Sequence, residues 1–75
     1  MKPNTVPIPK VVLVYADDWE ALFVDDKCVM EGHSLAAFQV LEALKISYTQ
    51  LDADNEWLGE LGRFGDLPLS KVKLA

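Results

Sequence analysis

Residues 11–32 read VVLVYADDWEALFVDDKCVMEG, three six-residue runs set apart by two Asp-Asp pairs. The first run, VVLVYA (11–16), is unbroken, apolar and β-branched. That pattern predicts a strand buried on both faces, central in its sheet rather than at an edge. The second, WEALFV (19–24), puts Trp19, Ala21 and Phe23 on one face and Glu20, Leu22 and Val24 on the other. Asp25-Asp26 stands where a two-residue hairpin turn belongs, and KCVMEG (27–32) returns as the partner strand. Asp-Asp is a costlier turn than Asp-Gly, because a positive φ strains Asp26 more than it would a glycine.

Beyond this meander, Ser34 is the expected N-cap of a helix over residues 35–44. Leu35, Phe38, Leu41 and Leu44, with Ala37 and Val40 beside them, make its apolar face. His33 and Phe38 fall at the two positions of a hydrophobic staple. ISYTQL (46–51) reads as a further strand, and residues 52–62 as a short helix capped by Asp54 or Asn55 and closed by Gly62. Trp57, Leu58 and Leu61 are its expected buried face. The order β-β-β-α-β-α predicts an α+β fold: a small three- to four-stranded, mostly antiparallel sheet, one main helix across it and a short second helix. Residues 1–10, with Pro3, Pro7 and Pro9, are expected to be a flexible arm. Residues 11–62 form the single domain, and residues 63–75 a tail that adds a strand or a dimer contact.

Seventy-five residues bury a modest core, worth about 3–5 kcal/mol in typical small domains. The lone cysteine, Cys28, allows neither an internal disulfide nor a cysteine-based zinc site. It fits a reducing compartment and leaves self-association as the supplement to the core. Homodimerisation through the second face of the sheet is therefore expected. No apolar run approaches the ~18 residues of a membrane span. The prolines of MKPNTVPIPK interrupt any apolar region of a signal peptide, and LSKVKLA holds no lipidation cysteine, so a cytoplasmic location is expected.

The net charge of −5 is unevenly spread. Residues 11–62 hold eleven acids against Lys27 and Lys45, a balance of −9, while the two ends together carry +4. Such a body repels a phosphate backbone, which disfavours direct nucleic-acid binding and favours a basic protein partner. Solubility alone would account for the same charge.

Candidate chemistry is sparse. A Cys28–His33 nucleophile–base pair is not expected: their spacing in a strand puts them on opposite faces or sends His33 past its end. Asp26 and Glu31 would also raise the thiol pKa. The carboxylates at 17–20 and at 25–26 lie at opposite ends of one strand, roughly 15–20 Å apart at ~3.3 Å per residue. That is too far for a glycosidase pair, which needs ~5–9.5 Å. The run from Asp52 to Glu56 begins like a calcium loop but has Trp57 where the turn glycine belongs and Arg63 where the bidentate glutamate belongs. GxGxxG, seryl-nucleophile and basic–aromatic patterns are missing from the sequence. Neither cofactor nor metal is expected.

The stretch WEALFVDDKCVMEGHS followed by LAAFQVLEAL resembles short uncharacterised bacterial and phage proteins, in which a W-x-x-L-(Y/F)-V-D-G-K hairpin precedes E-G-H-S and a helix. It covers roughly residues 11–61 and departs from that pattern at Asp26 and at Lys45, where glycines would stand. The resemblance implies a cytosolic, phage-linked setting and no mechanism.

Trp19 beside Asp17, Asp18 and Glu20, and Trp57 beside Asp54 and Glu56, combine aromatic anchors with acids, as interfaces do. These seven residues are the expected partner-binding set of a non-enzymatic acidic interaction module, one that inhibits a basic, nucleic-acid-binding host protein. Two alternatives stand beside it: a small ligand-binding or enzymatic domain using His33 and nearby carboxylates, and a purely structural homo-oligomeric subunit.

Overall fold

The computed structural model describes residues 10–33 and 35–75. The expected arm (residues 1–9) and the expected N-cap Ser34 lie outside them. Strands β1 (Val11–Ala16), β2 (Trp19–Val24) and β3 (Lys27–Gly32) form the meander, with the predicted bounds and both Asp-Asp turns. Helix α1 (Ala37–Ala43), strand β4 (Thr49–Asp52), helix α2 (Asn55–Leu61) and a 3-10 turn (Leu69–Lys71) follow. The sheet order is β3-β2-β1-β4, an α+β arrangement. β1–β2 and β2–β3 are antiparallel, while β4 lies parallel to β1 with Val14 opposite Leu51.

β1 is central and covered on both sides. Val12, Val14 and Ala16 pack with Ala21, Phe23, Ala53, Leu58 and Phe64 beneath α2 and the tail. Val11 and Leu13 pack with Ala37 and Leu41 beneath α1. Residues 63–75 belong to the first of these layers. Phe64 meets Phe23 edge-on at 5.5 Å, the Leu69 N–H donates to the Asp26 carbonyl, and Leu74 bridges antiparallel to Ala53.

Four helical expectations need correction. α1 begins two residues later than predicted, because Ala36, in the left-handed region at φ 51°, donates its N–H to the buried Glu20 carboxylate. A contact between residues sixteen apart in sequence thus sets where the helix starts. With Ala36 as the N-cap, His33 and Phe38 are not a staple: Phe38 is exposed, and His33 turns towards Trp19. Nor is the predicted apolar face all buried, since only Ala37 and Leu41 are. On α2, Asp54 caps the helix by accepting the Trp57 N–H at 2.9 Å and Gly62 ends it at φ 90°, but Leu61 is exposed rather than buried.

α1 ends in a Schellman arrangement. The Lys45 N–H donates to the Glu42 carbonyl and the Ile46 N–H to the Leu41 carbonyl, at 3.0 and 2.8 Å. Lys45 occupies its left-handed position at φ 57°, where glycine is the unstrained choice. Lys45→Gly should therefore stabilise the fold by about 0.5–1 kcal/mol, net of glycine's larger unfolded-state entropy. Thermal unfolding should show a rise of roughly 3–6 °C in Tm. Asp26, at φ 72°, is strained in the same way but also accepts the Ser70 N–H at 2.9 Å, so Asp26→Gly should lower Tm. Equal shifts for the two variants would contradict this account.

Candidate functional site

A bulge in β3 organises the acidic end of the molecule. Leu22 pairs with Met30 but Phe23 pairs with Cys28, leaving Val29 as the extra residue. In a regular strand Cys28 and Glu31, three apart, would face opposite ways. The bulge puts both on the face carrying Phe23 and Ala21. It also shifts the pairing so that, one step beyond Glu20–Gly32, His33 comes opposite Trp19. Their rings meet edge-on at 4.8 Å.

From this face Glu31 gathers three donors: Trp19 Nε1–H at 3.1 Å, Phe64 N–H at 2.7 Å and Gly65 N–H at 2.8 Å. One carboxylate thus fixes the Trp19 ring and anchors the tail. His33 Nδ1 lies 2.9 Å from the Asp18 carbonyl and 3.4 Å from its carboxylate. Because a carbonyl only accepts, Nδ1 carries the proton.

The β1–β2 turn, Asp17-Asp18, projects between hollows. A cleft of about 310 Å³ separates it from α2 and is lined by Ala16, Asp17, Asp18, Trp19 and His33 on one side and Asn55, Leu58, Gly59 and Gly62 on the other. Asp17 also borders two shallower hollows, one towards Tyr15 and Glu20 and one towards Asp52 and Asn55. Asp17 holds φ 41°, a conformation that aspartate tolerates better than most residues. Gly59 and Gly62 leave the α2 wall open: a Cβ at either would meet nothing within 4 Å.

The seven residues expected to face a partner divide. Asp17 and Asp18 are exposed, Asp18 at 79%, and the half-buried Trp19 joins them in the cleft. Glu56 is exposed on α2, one helical step from Asn55 in the cleft wall. Glu20 is not available at the surface. It is 5% exposed on the opposite face of the sheet, where it accepts the Ala36 N–H and lies opposite Tyr15 across the strands. Burial, first, and the Glu20 charge, second, push the Tyr15 pKa up. Asp54 spends its carboxylate on the helix cap, and Trp57 leans towards Phe64 at 6.2 Å, away from the cleft. Glu31 and His33 are the members of this end that the partner-binding set omitted. The signal was a bulge, which Val29 does not betray.

Among the described residues no three His, Cys, Asp or Glu side chains group as ligands for a metal ion, and no helix is long and apolar enough to cross a membrane. No family model, curated protein or solved structure matches the chain.

Cys28 is half-buried, and its thiol pKa is raised by burial and then by the Glu31 charge. Alkylation by iodoacetamide follows the thiolate, so it should be slow at neutral pH and accelerate only above the ordinary thiol range. Glu31→Gln keeps acceptor capacity but removes the charge. The alkylation pH profile should then move to lower pH, and an unmoved profile would show that Glu31 does not act on the thiol.

Proposed function

We propose that the protein is a non-enzymatic interaction module that meets a basic protein partner with its Asp17-Asp18 end, in the manner of an inhibitor occupying a nucleic-acid-binding surface. One observation carries the reading. The two exposed carboxylates stand on a two-residue turn whose Asp18 carbonyl accepts from His33, with the Trp19 ring held beside them by Glu31 and His33. Carboxylates beside an aromatic ring that is already held present negative charge next to an anchor with little left to immobilise on binding. The overall balance of −9 over residues 11–62 would steer a basic surface towards this end from a distance. The bacterial or phage setting implied by the sequence resemblance suits such a role, and a cytoplasmic location is part of the same proposal.

A second reading rests on the cleft itself. His33, with its Nδ1 proton committed to Asp18, lines a hollow large enough for a small molecule, which is the arrangement that a ligand-binding or enzymatic domain would need. Gly59→Leu in a folded protein separates the two readings, since it fills the cleft from the α2 wall, where an added Cβ meets nothing, and leaves both carboxylates and the contacts that hold Trp19 in place.

The steering claim has a sharp control, because Asp18→Asn and Asp66→Asn change net charge equally with identical chemistry. Asparagine also keeps the turn's backbone preference. Stopped-flow association with a Lys/Arg-rich peptide at low salt should slow on the order of three-fold or more for Asp18→Asn, with a flatter salt dependence. Asp66→Asn should change little. If the two variants slow association equally, net charge alone is responsible and the Asp17-Asp18 end has no special role.

A further inference from the structure

The α1 side of the sheet is half covered. α1 sits over Val11 and Leu13, with Leu22 packed at the edge of that layer, whereas Val24 of β2 and Met30 of β3 face the same side by register and, among the described residues, have no helix over them. Strands lie ~4.8 Å apart and a helix is ~10 Å wide, so one helix covers about two strands of four. What remains is an apolar groove of about 570 Å³ lined by Val11, Leu22, Val24, Leu41 and Ile46, with Met30 44% exposed on the neighbouring strand. α1 has the matching excess. Between Ala37 and Leu44 only Gln39 and Glu42 are polar, and Val40 and Leu44 are 59% and 64% exposed. A helix apolar nearly all round is one that is buried on two sides.

We infer that a second copy of the chain covers this face. In a two-fold dimer, the two α1 helices lie side by side between the two sheets, each helix filling the groove over β2–β3 of the other copy. Vacancy and filler are on one surface of one chain, which is the condition for an isologous contact. The charges agree. Lys27 and Lys45, the two cations of residues 11–62, are both on this side: Lys27 stands opposite Val24, and Lys45 lines the groove. The acidic turn Asp17-Asp18 is at the end of the sheet away from the groove, whereas Asp25 and Asp26 form the turn between Val24 and Lys27 at the groove's own end, so each copy brings both lysines and carboxylates to the contact. Glu42 on α1 offers the complementary partner for those lysines. A stable interface takes ~800 Å² from each partner. That is about a seventh of the 5584 Å² surface. The inference is independent of the basic-partner reading, because the Asp17-Asp18 end stays free in the dimer.

Sedimentation equilibrium of the full chain over a concentration series tests it. The expected result is twice the 8.4 kDa monomer mass. Val40→Glu and the milder Val40→Gln should each shift the mass towards the monomer while far-UV circular dichroism stays unchanged, since residue 40 is exposed within one copy. A monomer at every concentration overturns the proposal, as does a dimer that both variants leave intact. A monomer that dimerises once residues 1–9 are removed would also overturn it, by showing that those residues fill the groove in the same chain.

Discussion

β1 has no solvent side to offer. Its alternate residues face two different apolar layers, so folding must deliver cover to both at once, α1 to Val11 and Leu13 and α2 with Phe64 to Val12 and Val14. Everything else is arranged around that demand. β2 and β4 flank β1 and close its backbone hydrogen bonds. The tail, which carries no regular strand, is drawn over the sheet because the lower layer lacks a wall without Phe64. For a small chain with no disulfide, loss of either cover would remove a large share of the apolar burial that opposes chain entropy.

Local signals were legible in the sequence, and distant ones were not. The three strands of the meander and both Asp-Asp turns follow from period-two patterning and short loops, and they lie where residues 11–32 place them. The start of α1 does not, because it depends on the buried Glu20 reaching a backbone amide across the sheet. The parallel seat of β4 against β1 has no local signature either, since the pairing joins residues brought together only by α1. Phe64, one aromatic among polar neighbours, gave no sign that it would be a core residue.

The same division runs through the candidate site. Asp17, Asp18 and Trp19 are contiguous, so their proximity was available in the sequence, and the structure keeps them together at one cleft. Glu20 looked like their companion because it is adjacent, yet strand alternation turns it to the other face. Glu31 and His33 reach Trp19 only through the bulge at Val29, a residue that reads as an ordinary strand position. Composition found the acidic end, but a one-residue irregularity decided which side chains meet there.

The three donors that Glu31 collects have a consequence for the growing chain. Trp19 is made before Glu31, but Phe64 and Gly65 are added to the chain more than thirty residues later. At ~5–20 residues per second, about 2–6 s pass between synthesis of Glu31 and synthesis of the residue that completes its wall. During that interval Val12, Val14, Ala21 and Phe23 form a bare apolar sheet face beside a carboxylate with two empty acceptor positions. The newborn hairpins are then a surface open to chaperones or to other nascent chains, and the arrival of Phe64 closes it.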